Sequence, residues 1–222
     1  MLFSPTGFEK RFSVSVGGSH ALSRLCSRVK VPERIELPTD RPLMIAANHS
    51  SLFDLPAALI FLGHYGITSR IGVNSRFFAN SAAGAFFRNI GCVPFSKEDR
   101  ESAEQTMIDA LLDRQSTAIM PEGRITRRKD QVDGAGMGRP GVSRIARAAG
   151  AAVLPIGFAF SDEVWQPGTP LPKPRFGRHK VVATVGTPID FATDDHVANA
   201  NALMTKIGRL VLAGRASKEL QQ

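Results

Sequence analysis

The stretch Leu43-Met44-Ile45-Ala46-Ala47-Asn48-His49-Ser50-Ser51-Leu52-Phe53-Asp54-Leu55-Pro56-Ala57-Ala58-Leu59-Ile60-Phe61-Leu62 reads as strand, loop and helix in succession. Its first four residues form a short apolar run, the pattern of a buried strand. From Leu55 onward the apolar residues read as a helix. Asp54 stands where an N-cap is wanted, and Pro56 falls in the first turn, where its missing N–H costs nothing. The strand thus delivers His49 to a loop, and the helix start holds Asp54 a few residues away. A histidine oriented by a carboxylate is the minimum equipment for general base catalysis.

Outward from this unit, strands and helices alternate. Strands are predicted at 70–73, 92–95, 117–120, 153–156 and 181–185, and helices at 82–89, 102–114, 142–149 and 194–213. The 102–114 helix carries its apolar face on Ala103, Met107, Ala110 and Leu111. Arg144 and Arg147 are expected to point outward, Asp194 or Asp195 to cap the last helix, and Gly214 to end it. Between the strand at 117–120 and the helix at 142–149 lies a polar, Gly-rich stretch, 124–139, without any period. A structureless run that long inside a compact domain tends to carry function.

This order predicts one α/β domain over 41–222, a largely parallel mixed sheet flanked by helices. Residues 1–40 mix apolar residues (Phe3, Phe8, Phe12) with basic ones (Lys10, Arg11, Arg24) and suggest at most a short helix at 19–28. That segment is expected to pack on the domain or to lie on a membrane surface. In open α/β sheets, ligands collect beyond the carboxyl ends of strands. Both the 49–54 loop and Pro121-Glu122-Gly123-Arg124 leave strands in that sense, so one site is expected to contain both.

Composition narrows the function. Cys26 and Cys92 are the two cysteines and form no CxxC pair, which points to a reducing compartment. No HExxH or Cys/His cluster suggests a metal, and no Gly-rich phosphate loop suggests a nucleotide cofactor. The longest apolar run, 151–160, is about half of a membrane span. The first 18 residues lack the apolar core of a signal peptide. A cytoplasmic protein that does not cross the membrane is expected. Net charge is +8 and the pI about 10.1. From Arg124 to Lys180 eleven Lys/Arg face four acids, so that quarter carries most of the excess. Such a patch suits an anionic membrane or a phosphorylated substrate. With one Tyr, one Trp and no RNA-binding aromatic signature, nucleic acid is not the expected partner.

Four blocks in order resemble the glycerolipid O-acyltransferases of the lysophosphatidate acyltransferase type. Asn48, His49, Ser51 and Asp54 match NHxSxxD. Gly91 and Lys97 match a glycine followed six residues later by a basic residue. Pro121, Glu122 and Gly123 match FPEGTR, and Val153, Pro155 and Ile156 match an apolar VxPI-like strand. Gly141-Val142-Ser143-Arg144-Ile145-Ala146 resembles the KxGxxxLA helix.

The resemblance implies transfer of an acyl group from acyl-CoA or acyl carrier protein to a lysophospholipid, with lysophosphatidate foremost. It implies no cofactor and a peripheral location on the inner face of the cell membrane. His49 and Asp54 would be catalytic, with Lys97, Glu122, Gly123 and Arg124 binding the acceptor. Two positions depart from the family. Lys97 replaces the usual Arg, and Glu-Gly-Arg-Ile-Thr replaces Glu-Gly-Thr-Arg, a version also found in relatives that acylate lysophospholipids. An acyltransferase acting on another lipid or glycoconjugate acceptor is the alternative. A hydrolase using Ser50, Ser51 or Cys92 as nucleophile, although no Gly-x-Ser-x-Gly elbow is present, and a non-catalytic basic module docking on anionic membranes are the competing readings. Phe77, Phe78, Phe86 and Phe87 are expected in the core.

Overall fold

The computed structural model describes residues 7–79, 81–166, 168–169, 171–172 and 180–219. The chain runs α1 (Gly7–Cys26), β1 (Arg28–Lys30), β2 (Leu43–Ala47), α2 (Asp54–His64), β3 (Ser69–Asn74), α3 (Ser81–Asn89), β4 (Val93–Phe95), α4 (Arg100–Leu112), β5 (Ser116–Ile119), α5 (Gly141–Ala148), β6 (Ala152–Ala159), α6 (Ser161–Val164), β7 (Lys180–Val185) and α7 (His196–Glu219). Short 3₁₀ turns lie at Ser75–Phe78 and Arg128–Asp130. Phe3, and Lys173, Arg175 and Arg178 of the basic run, lie outside the described residues.

β2 is the central strand of a seven-stranded sheet ordered β1-β7-β6-β2-β5-β3-β4. Every neighbouring pair is parallel except β6 with β7. The reading of β2 as doubly buried has a direct structural expression. Leu43, Ile45 and Ala47 enter one core with Phe61 and Leu62 of α2 and Phe12 of α1. Met44 and Ala46 enter the other, with Met107 of α4, Ile145 of α5 and Ile207 of α7. Successive strand residues point to opposite faces, so an all-apolar strand is what two helical layers require.

The largest departure from expectation is α1, which runs for 20 residues. Its Ser- and Gly-rich sequence hides the helical period. Inside the helix, Ser13, Ser15 and Ser19 each donate to a carbonyl four residues back, which satisfies their hydroxyls. Small residues at the contact let α1 lie close on α2, where Val16 packs directly over Gly63. β1 then joins β7 at the sheet edge. Residues before 40 therefore contribute both a helix and a strand.

Three expectations are corrected. Asp54 is the first residue of α2 and not its cap; Phe53 takes the cap position, and the Asp54 carboxylate turns back to the loop. Arg144 and Arg147 are engaged rather than merely solvated: Arg144 forks onto Glu104, and Arg147 bonds Phe191 O and Asp194. Asp195 accepts the Ala198 N–H at the start of α7, but the helix continues through Gly214 to Glu219. There the missing side chain lets α7 press on Ala159 and Thr184 of the sheet.

Candidate active site

β2, β5 and β4 run parallel within one sheet, so the segments leaving them emerge on the same edge. The β2 segment carries His49, the β5 segment Glu122–Arg124, and the β4 segment Lys97. All of these but the buried Glu122 side chain line one cleft of about 1400 Å³.

The loop after β2 is held by its own polar residues. Asn48, fully buried, donates to Phe158 O at 3.0 Å and accepts from Phe158 N at 2.7 Å. Its amide continues the β2–β6 ladder where β2 itself has ended. Ser51 donates to Trp165 O at 2.7 Å and accepts from Phe53 N at 2.9 Å. Asp54 is fully buried. Its Oδ2 accepts from Ser50 N at 2.7 Å, Ser51 N at 2.8 Å and His49 Nδ1 at 2.9 Å. Three donors on one oxygen fix the carboxylate, and the carboxylate fixes the imidazole ring. With Nδ1 donating to Asp54, Nε2 keeps its lone pair for the cleft.

The turn after β5 grips the same loop from the other side. Glu122 Oε1 accepts the His49 backbone N–H at 2.8 Å, and His49 O accepts from Thr126 N at 2.8 Å. Glu122 is buried. Burial pushes its carboxyl above the ordinary value, opposed by the Thr126 hydroxyl, by the His49 N–H and charge, and by the Gly136 backbone. A side chain at Gly136 would sit within 2.5 Å of Glu122 and Thr126 oxygens, so glycine is required there. Gly123 is left-handed, φ +64°, and a side chain on it would strike Arg139. Glu122 therefore contacts the His49 peptide, while Gly123 and Arg124 face the cleft.

Lys97 and Arg124 are exposed on the cleft lining, and neither forms a salt bridge among the described residues. The remaining lining is largely apolar: Ile45, Leu59, Phe61, Ile71 and Phe158 among others. Phe77, Phe86 and Phe87 line the cleft as well; Phe86, 42% exposed, stands on its rim, whereas Phe78 and Phe87 pack against the core. Sequence reasoning also passed over Arg139 and Thr126. Arg139 lies in the featureless loop, but stands immediately before the Pro140-Gly141 that opens a helix. Among the described residues, no group of three or more His, Cys, Asp or Glu side chains is placed to hold a metal.

The nucleophiles of a hydrolase are not poised. Ser50 Oγ bonds Ser161 Oγ and Ser51 Oγ bonds Trp165 O, and neither is hydrogen-bonded to His49. Cys92 is buried, and burial pushes its thiol up to about 12. A thiol held protonated is no nucleophile.

No curated protein sequence matches the chain. Among solved structures, the 1-acyl-sn-glycerophosphate (LPA) acyltransferase PlsC from Thermotoga maritima shares the fold, with a TM-score of 0.68 at 21% identity. The alignment covers 92% of this chain and 80% of that one. The sequence profile of the family described as "Acyltransferase" matches residues 28–159. That span runs from β1 to β6 and takes in the His49–Asp54 loop, Lys97 and the Glu122–Arg124 turn; the chain belongs to the acyltransferase family.

Proposed function

We propose that the enzyme transfers a fatty acyl group from an acyl thioester, acyl-CoA or an acyl carrier protein, to the free hydroxyl of a lysophospholipid, with 1-acylglycerol-3-phosphate as the best-fitting acceptor. The observation that carries the reading is the His49–Asp54 pair, 2.9 Å apart, on a cleft that combines apolar walls with Lys97 and Arg124, which form no salt bridge among the described residues. A lysophospholipid has that same division, an apolar chain and an anionic head. The similar Thermotoga maritima protein is a 1-acyl-sn-glycerophosphate acyltransferase, which supports the reading.

In the reaction, His49 Nε2 takes the proton of the acceptor hydroxyl as its oxygen attacks the thioester carbonyl. Asp54 holds the tautomer and stabilises the imidazolium that forms. Collapse of the tetrahedral intermediate breaks the C–S bond and forms the ester. A thiolate with a pKa of about 8.5 leaves readily and takes up the proton afterwards. No residue of the chain is acylated.

The reading includes peripheral attachment to the inner face of the cell membrane, the source of the lysophospholipid acceptor. Supporting it, the cleft rim combines the exposed Val14 (76%) and Phe86 with Lys10, Arg11 and Arg76. No helix among the described residues is long and apolar enough to cross a membrane. The experiment is to supply purified protein with an acyl thioester, with and without a lysophospholipid. Thiol release that requires the acceptor supports transfer; release without it would establish a hydrolase instead.

A further inference from the structure

We propose that Arg139 is a third cation of the acceptor's phosphate site and the one that sets headgroup selectivity, an inference that rests on the reading of the acceptor above. The loop from Arg124 to Arg139 leaves the Glu122 turn and comes back to it. At its return, Arg139 N donates to Pro121 O at 2.9 Å and Arg139 Nε donates to Glu122 O at 3.2 Å. The side chain passes so close over Gly123 that a Cβ there would lie 2.7 Å from Nε. Sixteen residues of chain thus place a guanidinium on the turn that also holds His49.

Both anchors use the near side of Arg139. Its terminal nitrogens make no hydrogen bond and no salt bridge among the described residues, although the side chain lines the cleft with Lys97 and Arg124. Arg144 also lines that wall, but its fork is taken by Glu104. Lys97 is a point charge on a flexible stem, and Arg124 has no anchor among the described residues. Arg139 is a planar donor already fixed in place, which lowers the entropy cost of gripping a phosphate and favours a dianionic head over a neutral one.

The test compares wild type with Arg139→Gln and Arg139→Lys, using the full chain. Glycerol 3-phosphate binding is measured by calorimetry, and steady-state kinetics with lysophosphatidate and with uncharged monoacylglycerol. Removing one charge-assisted contact should weaken glycerol 3-phosphate by roughly tenfold or more in Arg139→Gln. The KM for lysophosphatidate should rise by a similar factor, with kcat within about threefold and monoacylglycerol kinetics little changed. Arg139→Lys, which keeps the charge but not the fork, should fall between; it carries the comparison alone if Arg139→Gln does not fold. Unchanged phosphate affinity overturns the proposal, as does a kcat loss shared by both acceptors, which marks a mere clamp on the turn. Wild type that binds no glycerol 3-phosphate overturns it too. Wild type that binds it with the predicted Arg139 dependence, yet acylates no lysophospholipid, refutes only the function assigned above.

Discussion

Glu122 holds His49 by its peptide and not by its ring: Oε1 accepts the His49 N–H at 2.8 Å, while the imidazole Nδ1 belongs to Asp54 at 2.9 Å. The two carboxylates share the work of placing one imidazole. One sets where the His49 backbone lies, and the other sets where its ring points.

This division predicts different outcomes for two substitutions at 122. Glu122→Gln keeps an oxygen for the His49 N–H and should retain much of kcat. Glu122→Ala leaves that buried donor unpaired, at about 1–3 kcal/mol, and frees the loop. A base displaced by an ångström loses about 100-fold in rate, so kcat should fall by that order in the alanine variant. Equal losses in the two variants would show that the charge, not the contact, matters.

The same residue makes stability depend on pH. Burial raises the Glu122 carboxyl in the folded state, so the folded protein holds that proton more tightly than the unfolded chain. Its contribution is therefore full below the ordinary carboxylate value, about 4.3, and is lost as pH rises through the raised folded value. Relative to wild type, Glu122→Gln should gain stability as pH rises above the ordinary carboxylate value. Urea denaturation of both proteins across that rise checks the sign.

Asn48 predicts a loss of stability. Its amide makes two buried hydrogen bonds with the Phe158 backbone. Asn48→Ala removes both and leaves Phe158 N and O unpaired, at a cost of about 2–4 kcal/mol. Denaturant midpoints report this directly, and a loss below about 0.5 kcal/mol would contradict the ladder-extending role.

Much of this was legible in the sequence because burial writes itself into periodicity. β2 was visible as an apolar run since both faces are covered, and α4 as a repeat of Ala103, Met107, Ala110 and Leu111. His49 and Asp54 were visible as a pair because strand and helix bracket them closely. α1 was not, because its contact with α2 uses serine and glycine, whose close approach carries no apolar period. Arg139 and Thr126 were not, because their roles depend on a loop returning to its starting turn. Local chemistry cannot show such closure. The contact of Glu122 with the His49 peptide was hidden for the same reason: a buried carboxylate bonded to a distant peptide looks, in sequence, like one facing a ligand.

The cations of the cleft predict a kinetic signature. Lys97→Ala and Arg124→Ala should each raise the KM for a phosphorylated acceptor several-fold with kcat little changed, each loss being one charge contact. Added salt should weaken wild-type binding to anionic vesicles. Acceptor kinetics indifferent to both substitutions would remove these residues from the site.

The most direct test of the central claim is the turnover of His49→Ala with an acyl thioester and lysophosphatidate, on protein whose melting matches wild type. Loss of the base should lower kcat by about 10³-fold or more, as when the proton acceptor of a triad is removed. A folded His49→Ala variant that turns over at a near-normal rate would contradict the account.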